Sequence, residues 1–155
     1  MILIDLIVPE AVLPSLRVTG KKALLQEMSE RAGVVSGLAG REIFDAVLQR
    51  ERLGSTGVGN GVAIPHGKLS RCERIFGVFA RLEKPIEFEA MDGEPVDLVF
   101  LLIASEIAGA DHLKALARVA RFLRDPKTAA RLRMTRGADA LHAILMQAGQ
   151  ASHAA

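Results

Sequence analysis

The segment Val96-Asp97-Leu98-Val99-Phe100-Leu101-Leu102-Ile103-Ala104 constrains the fold of this chain more than any other. Asp97 apart, it is apolar throughout and lacks the period-two alternation of a half-solvated strand. This is the pattern of a central strand covered on both faces, which requires a sheet sandwiched between other layers. Its uninterrupted apolar stretch, Leu98 to Ala104, is seven residues long, far short of the roughly 20 needed to span a bilayer. The apolar N-terminus has no basic residue ahead of it and is interrupted by Asp5 and Pro9, so it does not read as a signal peptide. We therefore expect no membrane insertion and a cytoplasmic location.

Around this strand the pattern alternates. Leu24, Leu25, Met28 and Ala32 share one side of a helix predicted over Lys21 to Ala32. A second helix is expected from Gly40 to Arg52, burying Ile43, Phe44, Val47 and Leu48. Four glycines within Gly54–Gly61 argue for a loop. Val62-Ala63-Ile64 is a short strand stopped by Pro65, and Ile75 to Leu82 is a strand ending at Lys84-Pro85. Met91-Asp92-Gly93-Glu94 is turn chemistry. Helices follow at Ala110–Arg124, where Leu113, Leu116, Ala117 and Ala120 are expected to be buried, at Pro126–Met134 and at Ala138–Gln147. Asp125 suits the N-cap of the second of these, with Pro126 in its first turn. The expected architecture is a single layered α/β domain, a central mixed β-sheet flanked by α-helices, over residues 1–148, with a flexible tail at 149–155.

Composition narrows the function. Lys+Arg 20 against Asp+Glu 18 leaves a net charge of +2, and Trp and Tyr are both 0. A basic tract with stacking aromatics is therefore missing, and no nucleic-acid partner is expected. One cysteine, Cys72, excludes an internal disulfide framework and any multi-cysteine zinc site. His142 reads as a helix-boundary residue, His153 as part of the tail, and Phe76, Phe79, Phe88 and Phe100 as core. Arg118, Arg121 and Arg124 read as a solvated face.

The informative stretch for chemistry is Gly54-Ser55-Thr56-Gly57-Val58-Gly59-Asn60-Gly61-Val62-Ala63-Ile64-Pro65-His66-Gly67-Lys68. It is not a P-loop: five residues separate Gly61 from Gly67-Lys68, and Leu69 stands where a hydroxyl is needed. The dinucleotide fingerprint fails as well, since Val62 takes the place of the third glycine. An anion-binding module built on the Gly-rich loop stays open as a third reading. What remains is His66 between a proline that fixes the backbone and a glycine that permits close approach. Imidazole suits a neutral nucleophile near pH 7, and the neighbouring glycines are able to offer backbone N–H groups to an anion. The plain alternative is a turn that ends in a partly exposed histidine.

Taken with Asp92-Gly93-Glu94-Pro95-Val96-Asp97 and Asp111-His112-Leu113-Lys114, this stretch resembles the enzyme IIA domains of the bacterial phosphotransferase system. The similarity is to the fructose/mannitol-type superfamily and, within it, to the nitrogen-related enzyme IIA group. It implies that His66 accepts phosphate from an HPr-like phosphocarrier of the nitrogen type. It implies that His112 orients His66 and stabilises the phosphoryl group. Arg50 matches the arginine ahead of the loop, with Arg52 an alternative two residues on. Ser55, Thr56, Gly59, Asn60 and Gly61 are the expected phosphoryl-stabilising loop, and no metal or cofactor is expected. The group further implies regulatory targets such as sensor kinases or potassium transport proteins, contacted according to phosphorylation state. The competing reading is a freestanding sugar-specific enzyme IIA that passes phosphate to an enzyme IIB.

Overall fold

The computed structural model describes residues 6–154, with side chains through residue 147. Residues 1–5, including Asp5, and the side chain of His153 lie outside the described residues. A 3-10 turn at Pro9–Ala11 leads into β1 (Val12–Leu16), α1 (Lys21–Ser36) and α2 (Gly40–Arg52). Three short strands follow: β2 (Gly57–Gly59), β3 (Val62–Ala63) and β4 (His66–Leu69). The long strands β5 (Phe76–Ile86) and β6 (Val96–Ser105) precede α3 (Ala110–Arg124), α4 (Pro126–Met134) and α5 (Ala138–Ala154).

The result is a six-stranded mixed sheet in the order β1-β5-β6-β3-β2, with β4 also paired to β6. As the apolar run requires, β6 lies inside it. Antiparallel β5 flanks one edge, in the register Phe79↔Phe100, and parallel β3 and β4 share the other. Leu98 through Ala104 are all fully buried, so both faces are covered. Leu24, Leu25, Met28 and Ala32 are buried in α1, as are Ile43 and Val47 in α2, while Phe44 and Leu48 are half-buried. Asp125 caps α4 by accepting from the Thr128 amide at 3.2 Å.

Several expectations are corrected. The Gly54–Gly61 stretch is not simply a loop. Its end forms a hairpin whose Asn60-Gly61 turn has φ of 57° and 78°, the doubly positive geometry of a type I′ turn. Strand β5 runs through Lys84-Pro85 to Ile86, because the register slips between Arg81 and Ile86 and proline is tolerated at such an irregularity. Strand β1 precedes the helices and carries Pro14, which an edge strand accommodates. Helix α5 continues past Gln147 to Ala154.

Helix α3 is also rotated from the expected setting. Leu113 is 68% exposed, Ala117 is exposed, and Leu116 and Ala120 are half-buried. The buried stripe is instead His112, Ala115, Val119, Phe122 and Leu123. That rotation determines how the histidine is held.

Candidate functional site

Helix α2 reaches the edge of the sheet at Gly67. A Cβ there would lie 3.2 Å from the Ala46 Cβ and 3.2 Å from the Val47 amide nitrogen, closer than helix backbone normally allows. Glycine at 67 thus lets α2 sit directly on β4. Arg50, one turn beyond Ala46, is carried over the start of that strand. His66 opens β4, pairing with Leu102, and the Pro65 carbonyl accepts from the Leu102 amide at 3.0 Å. The imidazole is anchored before and at its own position by the buried strand β6.

The His66 ring is held from behind. Its Nδ1–H donates to the Ile64 carbonyl at 2.9 Å, which assigns the tautomer and leaves the Nε2 lone pair free. His112, in the first turn of α3, stands edge-on to it with ring centroids 5.5 Å apart and planes at 68°. Only 3% of His112 is exposed, and its buried Nε2 has no hydrogen-bond partner among the described residues. Burial, reinforced by the neighbouring His66 and Lys68, pushes its pKa down to about 4. Burial also lowers the pKa of His66, aided by Arg50 and Lys68 and opposed by the Ile64 bond and Glu51. Both imidazoles are therefore neutral near pH 7.

A cavity of about 540 Å³ opens over the two rings, lined by Ala46, Gln49, Arg50, Leu53, His66, Gly67, Lys68, His112, Leu113 and Leu116. His66, His112 and Arg50 are thus brought together from β4, α3 and α2. Arg52, the alternative to Arg50, is exposed and is not among the lining residues. Lys68 and Gln49 do line the cavity, though the sequence analysis assigns them no role. The signal for both was adjacency, Lys68 closing the glycine-rich stretch and Gln49 preceding Arg50.

The five loop residues lie elsewhere, and none lines this cavity. The Ser55 hydroxyl donates to the Phe88 carbonyl at 2.9 Å, and the Thr56 amide and hydroxyl donate to the Glu51 carboxylate. Gly59 packs near the Asp92 carboxylate, and the Asn60 amide donates to it at 2.9 Å. The Gly61 carbonyl accepts from the Asp97 and Leu98 amides. Arg133 completes the tie, gripping both Asp97 oxygens at 3.0 Å and donating to the Asn60 carbonyl at 2.7 Å. These groups hold the hairpin to the turn after β5 and to α4. The Ser55 hydroxyl, the Thr56 amide and hydroxyl, and the Asn60 amide are thus engaged within the protein.

Residues 5–148 match the family described as phosphoenolpyruvate-dependent sugar phosphotransferase system, EIIA 2. The chain belongs to that family. Among EIIA 2 relatives, it is 60% identical over 141 residues to a nitrogen regulatory protein of Bradyrhizobium diazoefficiens, covering 91% of this chain and 92% of that one. The solved nitrogen regulatory protein IIA-Ntr of Neisseria meningitidis superposes with a TM-score of 0.87 at 33% identity, covering 92% of this chain and 97% of the other. The IIA mannitol structure from Escherichia coli, 23% identical, shares the fold with a TM-score of 0.76 over 89% and 97% of the two chains. The EIIA 2 fold and these relatives support a phosphocarrier role in a phosphotransferase system. No helix among the described residues is long and apolar enough to cross a membrane.

Proposed function

We propose that this EIIA 2 chain is the phosphocarrier and regulatory component of a nitrogen-related phosphotransferase system, taking a phosphoryl group from an HPr-like carrier on His66 Nε2. The observation that carries this reading is the free Nε2 of a neutral, half-buried imidazole facing a cavity shared with Arg50 and His112. The Nε2 lone pair attacks phosphorus as the phosphorus–nitrogen bond of the carrier's phosphohistidine breaks, and the carrier's imidazole leaves with that electron pair. Positive charge develops on the His66 ring, and the Ile64 carbonyl, accepting from Nδ1–H, stabilises it. Catalysis here is positioning plus electrostatics. The Arg50 guanidinium offers a fixed fork of N–H donors to the phosphoryl oxygens. The unpartnered His112 Nε2, in the N–H tautomer, supplies a further donor. One donor aimed in this way is worth about 2.7–4 kcal/mol in a transition state.

Regulation follows from the charge delivered. A phosphoryl group carries roughly −1.5 to −2 units on serine, threonine or tyrosine, and comparable charge at the mouth of the His66 cavity would alter which protein surfaces dock there. Incubation with a radiolabelled, phosphorylated HPr-type carrier is expected to label the wild type and not His66→Ala; a label that survives the substitution would sink the assignment. Onward transfer separates the two roles. A phosphorylated chain that discharges rapidly to a sugar-type enzyme IIB favours the sugar reading. State-dependent capture of regulatory proteins by the wild type but not His66→Ala favours the nitrogen reading, as the 60% identity to a nitrogen regulatory protein does.

A further inference from the structure

We propose that Glu51 is a positioning residue for phosphoryl transfer: its buried carboxylate locks the turn from Arg50 to Thr56 and thereby aims the Arg50 guanidinium into the His66 cavity. The inference rests on the reading of His66 as the phosphoryl acceptor.

Glu51 is only 6% exposed and sits in the last turn of α2. An anion there faces the carbonyl end of the helix dipole, which favours cations by about 0.3–1 kcal/mol, and burial adds a desolvation cost. Helix stability alone would not select a carboxylate at this position. The molecule instead surrounds it with donors. The Thr56 amide reaches both carboxylate oxygens, at 3.0 and 2.9 Å, and the Thr56 hydroxyl donates to Oε1. Lys21, the first residue of α1, brings Nζ to 3.0 Å from Oε2. The same ammonium donates to the Phe88 carbonyl at 3.3 Å, lies 4.5 Å from the Phe88 ring centroid, and approaches exposed Glu89 at 3.8 Å.

This knot joins the start of α1, the end of α2, the segment after β5 and the turn before the hairpin, one residue away from Arg50. Within that turn the Leu53 amide donates to the Arg50 carbonyl and the Gly54 amide to the Glu51 carbonyl, both at 3.1 Å. Arg50 Nη1 in turn donates to the Gly54 carbonyl at 2.9 Å. The path of the turn and the direction of the guanidinium are therefore set together. Leu53 is 84% exposed and offers no packing to replace the carboxylate. Misplacement on the order of 1 Å at such a group costs up to about a hundredfold in rate.

Glu51 also belongs to the charge set around His66. Arg50 and Glu51 of α2 and Lys68 of β4 act on that imidazole, with His112 of α3 edge-on to it. Arg50 and Lys68 lower its basicity, and Glu51 opposes them. Loss of the Glu51 charge would leave the nucleophile less basic.

The test pairs two readouts on the full chain: NMR titration of ¹⁵N-histidine at His66, and single-turnover transfer from a phosphorylated HPr-type carrier. Glu51→Gln is expected to move the His66 midpoint to lower pH. It is also expected to cut the saturating transfer rate about tenfold while leaving the carrier concentration at half-maximal rate unchanged. Glu51→Asp keeps the charge but not the reach, so the midpoint should stay while the rate falls. Thr56→Val, which removes a single hydroxyl, should slow transfer with the midpoint in place, and it decides the matter if Glu51→Gln does not fold. A labelled wild type beside a Glu51→Gln variant with unchanged rate and midpoint, altered only in melting temperature, would overturn the positioning role alone. A wild type that takes no label would overturn the phosphoryl reading and this role with it.

Discussion

At the scale of single residues, the site combines a nucleophile held in one tautomer with a second imidazole that the fold keeps uncharged. The latter ties function to acid stability. The pKa of His112 falls from an ordinary 6.5 to about 4 on folding, so between those values the unfolded chain binds a proton that the folded chain refuses. Stability from this group is full above pH 6.5, is lost as pH falls through the window and levels off below about 4. The loss is at most about 3 kcal/mol, reduced to the extent that solvent screens the ring. Urea denaturation of wild type and His112→Gln at pH 7, 5.5 and 4.5 should show the wild type losing more stability on acidification. Parallel losses in the two proteins would contradict the assignment. His66 was legible as a candidate from its Pro-Gly frame. Its tautomer was not, because the sequence does not show that the ring turns back to the Ile64 carbonyl two residues before it.

At the scale of elements, the strands show how much depends on neighbours. Gly77 of β5 lies beside Phe100 of β6, and a Cβ at that position would stand 2.3 Å from the ring and 3.2 Å from the Leu101 carbonyl oxygen. Phe100 is fully buried and has nowhere to retreat. Gly77→Ala should therefore cost about 1–3 kcal/mol in chemical denaturation, and adding Phe100→Leu should recover part of it. Strictly additive losses in the double variant would count against the clash. The hairpin of β2 and β3 was readable, since Asn60-Gly61 is the strongest short-range turn signal. The surrounding glycines obscured it. Strand β4, with its histidine, glycine and lysine, has no strand signature and exists because the buried edge of β6 needs partners for its backbone groups. The rotation of α3 was unreadable for a different reason. Leu113 and Leu116 look like core, yet they line the site cavity on the more exposed side of α3, while His112, which also lines it, is buried.

At the scale of the whole molecule, Arg81 holds distant parts of the chain together. It is 7% exposed, donates from Nε to the Arg133 carbonyl near the end of α4 at 3.0 Å, and from Nη1 to the Pro14 carbonyl of β1 at 3.3 Å. No carboxylate lies within salt-bridge distance of it among the described residues. Backbone carbonyls therefore provide its hydrogen-bond partners, and the side chain pins the N-terminal strand and a C-terminal helix to the sheet centre. Arg81→Ala should lower stability by about 2 kcal/mol, a fall in melting temperature of roughly 4–8 °C for a chain of this size. Its rate of labelling by the phosphorylated carrier at 25 °C should match wild type. A large drop in that rate would show that Arg81 also shapes the site.

Local chemistry alone determined the buried central strand, the bounds of α2 and α4, the turn at residues 91–94 and the candidacy of His66, while Arg50 and His112 became candidates only through the resemblance to the enzyme IIA family. Those features depend on hydrophobic runs, capping residues and short motifs, whose physics acts within a few positions along the chain. Tertiary structure alone decided that Arg50 rather than Arg52 enters the cavity, that the glycine-rich hairpin is tied to Asp92 and Arg133 instead of lining it, and that His112 is buried and neutral. Each of these depends on which surface an element turns toward groups far away in sequence, and that orientation is chosen by packing and hydrogen-bond satisfaction across the whole domain.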